Sequence, residues 1–321
     1  MAGSRALKNR IKSTKNIRQM TRAMEAVSAV KMRRSQMAAL AARPYALSAL
    51  AILHKIQKST EEAVVLSPLT QKRKVKTLGL VVITSDKGLA GSFNMNVIKK
   101  AEKLIAQSNQ PAATHAAQAG RKTLVVAVGK KGRDYFKRRK INVEHEFLGA
   151  GDFGAINETR VISNLVAKLF IEKKCDEVVL IYTNFLSALK QEVVVRKLLP
   201  FTEEALAEII ADVEPLRGRY ANMPSVIETT NNESMEGLVF EPSPTEALGK
   251  ILPQLLAVQI FHAILEGNAS EHSSRMIAMK NASESAGELV DTLTIQYNKA
   301  RQAAITKELT EITAGREALN A

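Results

Sequence analysis

Residues 276–304 read MIAMKNASESAGELVDTLTIQYNKARQAA, and Met276, Met279, Ser283, Ala286, Val290, Leu293, Tyr297, Ala300 and Ala304 recur through them at alternating steps of three and four. A seam of this kind, sustained over about four heptads, predicts a coiled coil rather than an ordinary amphipathic helix. Its small residues let a partner helix approach closely. Upstream, Ser243-Pro244-Thr245-Glu246 has the form of a capping box with proline at the first helical position, so the helix is expected to start there. Helical character continues to about Ile312, with Pro253, Gly267 and Gly287 as the weak points. About seventy helical residues would span roughly 105 Å.

The first residues mirror the last. From Ser4 to Lys58 there is no glycine and one proline, Pro44, and strong helix formers dominate. Ile17, Met20, Met24, Val27 and Lys31 follow three–four spacing and predict an apolar stripe, with Lys31 as a polar interruption able to set register. Pro44 is expected to kink or break the helix near Arg43; the segment before it would be about 60 Å long. A small domain cannot cover helices of this length. The economical solution is an antiparallel coiled coil of the two, burying both stripes; the alternative is that each stripe packs on a separate partner.

Between them the period changes. TLGLVVITSD, KTLVVAVGKKG and DEVVLIYTNF are Val- and Ile-rich runs with the character of buried strands. NMNVIKKAEKLIAQ, GRDYFKRRK and NETRVISNLVAKLFIEKK alternate with them as helices. This β-α-β-α-β order predicts an α/β domain with an open, largely parallel, Rossmann-like sheet, with QEVVVRKLLP returning beside the last strand as a hairpin. The organisation expected is a helix over 1–60, an α/β domain over 75–240 that carries an irregular insertion at 201–241, and a second long helix over 243–321.

Chemistry is sparse. Neither GxGxxG nor GxxxxGK[ST] occurs. SDKGLAGSFN, Ser85–Asn94, has glycines at 88 and 91 that suit a tight strand-to-helix turn, where free N–H groups could hold an anion. The five histidines, at 54, 115, 145, 262 and 272, have no metal spacing; His145, between Glu144 and Glu146, sits on a strand, and His272 falls near the seam. Cys175 is the single cysteine, which excludes an internal disulfide; its position between helix and strand predicts a buried structural thiol. No catalytic set, metal site or cofactor is expected. No stretch approaches a membrane span, and MAGSRALKNRIKS lacks the features of a signal peptide.

Charge is the strongest remaining signal. The chain carries +14 with a pI near 9.8, and Arg5, Lys8, Arg10, Lys12, Lys15, Arg18, Arg22, Lys31, Arg33, Arg34 and Arg43 crowd the first helix against Glu25 alone. Like charges three or four apart repel on an isolated helix, so an acidic partner surface is expected. A nucleic-acid partner would use the same cations, but aromatics are 4% with no Trp, which leaves few stacking platforms. A nucleotide-dependent enzyme would need a phosphate motif that is missing.

KNRIKSTKNIRQMTRAMEAVSAVKMRR, SDKGLAGSFN and SEHSSRMIAMKNASESAGELVDTLTIQYNKARQAAITKELTEI together resemble the γ subunits of F-type ATP synthases, in order and over almost the whole chain. The resemblance implies a noncatalytic central rotor shaft that couples proton or sodium flow through a c-ring to ATP synthesis or hydrolysis. It implies α, β and ε subunits and the c-ring as partners, and a peripheral position on the cytoplasmic side of a bacterial inner membrane. Arg301 and Gln302, in the NKARQ motif, would bond β-subunit loops. Arg275, which follows Ser274 where the family has alanine, would lie beside Met276 near acidic β-subunit levers, as would Lys31, Arg33 and Arg34. Chloroplast relatives carry a regulatory cysteine pair; with Cys175 alone, such thiol control is not expected.

Overall fold

A computed structural model of the chain describes residues 2–59, 67–108, 121–149, 156–201 and 244–320. Apart from Phe201, the expected insertion at 201–241 lies outside them, as does the capping residue Ser243. The described elements are α1 (Ala2–Ser59), β1 (Thr77–Ile83), α2 (Phe93–Ser108), β2 (Lys122–Val128), α3 (Lys130–Arg138), β3 (Val143–Phe147), α4 (Ile156–Ile171), β4 (Glu177–Phe185), β5 (Gln191–Leu199) and α5 (Pro244–Asn320). They divide into two compact units. One is Met1–Val30 with Arg275–Ala321, and the other is Lys31–Ser274.

Both long helices are more continuous than expected. α1 runs unbroken through Pro44, against the predicted break near Arg43. An interior proline forfeits one backbone hydrogen bond and crowds the preceding turn, at a cost of about 3 kcal/mol. Its flanks in AALAARPYALSALAIL favour helix on both sides and outweigh that local cost. α5 opens at Pro244 as predicted, then passes through Pro253 and on to Asn320 rather than stopping near Ile312.

The Lys31–Ser274 unit is built on one sheet of order β3-β2-β1-β4-β5. β1 pairs in parallel with β2 and β4, and β2 with β3. β5 is the antiparallel edge, returning on β4 as the predicted hairpin. A strand sends successive side chains to opposite faces, and here both faces are covered. That is why TLGLVVI is apolar throughout rather than alternating. Leu78, Leu80 and Val82 meet Val97, Ile98 and Ala101 of α2 and Phe136 of α3. Val81 and Ile83 meet Ile162, Val166 and Phe170 of α4 on the other side, together with Leu252, Leu255, Leu256 and Ile260 of α5.

The lower half of α5 is therefore a layer of this domain. Every residue from Ile260 to Ser273 is buried, the signature of a helix enclosed on all sides. Polar members of the run are enclosed too: His262 Nδ1 lies 3.4 Å from Glu266 Oε1, and His272 is buried in this unit. At the edge strand β3, His145 is half-buried while its neighbours Glu144 and Glu146 face out. Lys137 and Arg133 pair with Glu146, holding its carboxyl below the usual range through the Lys137 hydrogen bond first.

Cys175 sits in the turn between α4 and β4 with 1% exposure. Burial first, then the neighbouring Asp176 carboxylate, pushes its thiol up to about 12 from an ordinary 9.0. The unfolded chain ionises at the lower value. The thiol's contribution to stability is therefore complete below about pH 9 and is lost as pH rises towards 12. At neutral pH a thiol reagent is expected to label Cys175 no faster than the chain unfolds, and at once in denaturant; rapid labelling of the native protein would contradict this burial.

Candidate functional site

In the other unit, the first part of α1 pairs with α5 from Arg275 onward. On α5 Met279, Ser283, Ala286, Val290 and Leu293 of the seam read from the sequence are buried, with Arg275 and Gly287 beside them, while Met276, Tyr297, Ala300 and Ala304 are half-buried. On α1 the seam is not the predicted stripe. Of the predicted stripe Ile17, Met20 and Val27 are 46%, 59% and 56% exposed and Met24 is half-buried, while Thr14, Thr21 and Ser28 are buried. The reason is local hydrogen bonding. Thr14 donates its hydroxyl to the Arg10 carbonyl (2.9 Å), Thr21 to Arg18 (3.0 Å) and Ser28 to Met24 (2.7 Å). A hydroxyl satisfied within its own helix turn presents a small, largely apolar surface outward and can be buried. The signal was present as a seven-residue recurrence of small hydroxyl residues; ranking positions by hydrophobicity alone hides it.

Small residues on both sides bring the backbones close. The guanidinium carbon of Arg18 lies 3.2 Å from where a Cβ on Gly287 would be. A cleft is lined by Arg18, Arg22 and Glu25 together with Lys280, Ser283 and Glu284. Ascending numbers on α1 thus meet descending numbers on α5, so the pair is antiparallel. With Arg18 level with Gly287, the start of α1 at Ala2 is level with about Ala303. Beyond that α5 continues without α1 beside it, and every residue from Ile305 to Arg316 is exposed.

The outer surface of α1 is cationic. Arg5, Lys8, Arg10, Lys12, Lys15, Arg18, Arg22, Arg33 and Arg34 are exposed, and among the described residues none of them forms an ion pair. Of the other residues singled out, Lys31 and Met276 are half-buried, Arg275 is buried, and Arg301 and Gln302 are exposed. They do not form one cluster: Arg275 and Arg301 are separated by about 39 Å of helix. The sequence reading missed exposed Val30 and, on α5, Ile305, Leu309 and Ile312.

The turn after β1 is closed to phosphate. A sheet of this order invites a ligand at the carboxyl ends of its strands, with the anion on a helix N-terminus. Here the first N–H groups of α3 are already used. Lys130 donates to Asp86 Oδ1 (2.9 Å), Lys131 to the Ser85 carbonyl (3.0 Å) and Gly132 to Thr84 Oγ1 (2.9 Å). Asp86 also accepts from Gly149 N–H (3.0 Å), so a resident carboxylate occupies the anion position. Gly91 takes the left-handed backbone expected of it, but its companion is Leu89 at φ 63° rather than Gly88. A leucine there costs about 1–2 kcal/mol. The glycines that the site cannot replace are at the β2–α3 junction: a Cβ on Gly129 would lie 2.0 Å from the Thr84 carbonyl oxygen.

Among the described residues there is no group of side chains able to hold a metal, and no helix is long and apolar enough to cross a membrane. Ser28→Asp, which buries an unpaired charge in the seam, is expected to destabilise the isolated chain by about 2 kcal/mol or more. Val27→Ser, one residue away on the exposed face, should shift it by less than about 0.5 kcal/mol. Equal losses in a denaturant titration would mean the seam is misassigned.

Comparison with known proteins agrees with this geometry. The family model described as ATP synthase matches residues 3–319. The ATP synthase gamma chain of Moorella thermoacetica is 37% identical over 320 residues, covering 99% of this chain and all of that one. That of Synechococcus elongatus is 39% identical over 323 residues, covering the whole of both. A chain in the solved Euglena gracilis mitochondrial ATP synthase, described as OSCP/F1/c-ring in rotational state 3, has the same fold with a TM-score of 0.63 at 16% identity, covering 99% of this chain and 95% of that one. On the full-length match to the family model and to these relatives, the chain belongs to the ATP synthase gamma-chain family, the noncatalytic central-stalk subunits of F-type ATP synthase.

Proposed function

We propose that the paired helices turn as a stiff, asymmetric shaft inside a ring of α and β subunits, coupling ion flow through a membrane ring to ATP synthesis or hydrolysis in that head. The observation that carries this reading is the outer surface of the pair. Exposed cations without ion-pair partners are interleaved with exposed Ile17, Met20, Val27 and Val30, on helices whose seam is already filled from within. An isolated helix gains nothing from such a surface; a shaft running through acidic and apolar walls does. Arginine suits the acidic contacts because its planar fork pairs a carboxylate at two points.

On this reading Lys31, Arg33 and Arg34 of α1 and Arg275 and Met276 of α5 meet acidic β-subunit segments. Arg301 and Gln302 bond β-subunit loops further along the shaft. Ile305, Leu309 and Ile312, at steps of four and three beyond the start of α1, form an apolar bearing face. The α/β domain meets the c-ring and ε; the c-ring in the description of the Euglena structure supports that partner. With bacterial relatives such as that of Moorella thermoacetica, this reading gives the subunit a peripheral position on the cytoplasmic side of the inner membrane.

Replacing Arg301 and Gln302 together with alanine is expected to slow ATP turnover of the assembled α/β/γ complex by roughly tenfold, the equivalent of one lost charge-assisted hydrogen bond. The fold of the chain should not change, since both side chains are exposed. Unchanged turnover in a complex shown to contain the variant would remove these two residues from the proposed contacts.

A further inference from the structure

α5 is held to the α/β domain in two different ways. Lower down, Leu252, Leu255, Leu256 and Ile260 pack into the apolar core. Such contacts are strong but non-directional, and a smooth apolar face resists rotation about the helix axis weakly. Higher up, in the last turn before Arg275, the attachment changes character. Ser270, Ser273 and Ser274, at steps of three and one, face the end of β4 and the loop of the β4–β5 hairpin. Ser270 donates to the Thr183 carbonyl (3.2 Å) and Ser273 to the Ala188 carbonyl (2.6 Å). Ser270 and Ser273 are fully buried.

Gln191, the first residue of β5, completes this arrangement. Its Nε2 donates to the Ala188 carbonyl (2.9 Å), to Ser273 Oγ (3.2 Å) and, at longer range, to the Ser187 carbonyl (3.4 Å), and its Oε1 accepts from Ser274 Oγ (3.0 Å). One amide thereby spans the hairpin loop and two positions on the helix. The loop is itself braced, with Ser187 N–H donating to the Lys190 carbonyl (2.9 Å) and Lys190 N–H to Ser187 Oγ (3.0 Å). Hydrogen bonds weaken steeply when their angles change, so a set aimed from one side at successive positions of a helix opposes its twisting.

We propose that Gln191 is the positioning residue of a directional latch through which twist passes between the α/β domain and α5. The latch occupies the last turn of α5 inside the Lys31–Ser274 unit, and the helix continues unbroken beyond it. Serines rather than larger residues are used because the hairpin loop must approach the helix within hydrogen-bonding distance. The inference rests on the reading of this chain as a rotor shaft.

The test uses the assembled complex with the head immobilised and a probe attached to the α/β domain, recording ATP hydrolysis and the thermal angular fluctuation of the probe. Gln191→Met, which keeps the length of the side chain and removes all four bonds, should leave hydrolysis unchanged and widen the angular distribution. Gln191→Glu, which keeps the acceptor for Ser274 and loses the donors, should fall between. Leu189→Ser, 86% exposed on the same loop, should alter neither. A Gln191→Met distribution as narrow as that of the unaltered chain, or equal widening by Leu189→Ser, would overturn the latch. If Gln191→Met fails to assemble, Ser274→Ala removes a single bond and must still widen the distribution. Failure of the rotor reading is separate: ATP hydrolysis by the head would then proceed without any rotation of the probe.

Discussion

A helix is a rod because each backbone N–H is bonded four residues back, and α5 keeps its helical course for 77 residues although Pro253 leaves out one bond of that ladder. One stretch of this rod, from Leu252 to Ser274, is a packed layer of the α/β domain; the next, from Arg275, is half of a coiled coil. The same covalent and hydrogen-bonded backbone therefore serves both units. Its composition shifts accordingly. Where it is enclosed on every side, apolar residues are mixed with buried polar ones such as His262 and Glu266, and where it pairs with α1 it narrows to a single three–four seam.

The coil is thin by design of its residues. Thr14, Thr21 and Ser28 on one side and Ser283, Ala286 and Gly287 on the other fill the seam with small volumes. Larger side chains are displaced outward, so Ile17, Met20 and Val27 end up at the surface beside the cations. This is an unfavourable surface for a protein meant to stay alone in water, both for its apolar exposure and for its like-charge repulsion. It fits a helical pair that is surrounded in the working assembly by other subunits of the ATP synthase.

The sheet has the strand order of a nucleotide-binding fold, yet its crevice is committed to structure. Asp86, Ser85 and Thr84 take up the N-terminal donors of α3, and α5 passes close enough to the end of β1 that a Cβ on Gly267 would lie 3.3 Å from Ile83. Gly-rich turns at such positions are thus ambiguous in sequence: the same glycines serve a phosphate or a close backbone approach, and only the occupancy of the donors separates the two.

Period and composition alone determined four of the sheet's five strands, the hairpin, the long terminal helices and the seam of α5, because each depends on a local repeat of two, three or four residues; the short edge strand β3 had no place in the expected order. Cys175 as a buried thiol followed from its place between helix and strand. The tertiary structure decided what depends on which face turns inward. It put Thr14, Thr21 and Ser28 in the seam in place of the Ile17–Val27 stripe, since a hydroxyl bonded to its own helix loses the polarity by which a sequence pattern excludes it. It carried α1 through Pro44, since the cost of one lost hydrogen bond is local and the helix on either side is long. And it set Gln191 against Ser273 and Ser274, more than eighty residues apart in the chain, a meeting that no local repeat can encode.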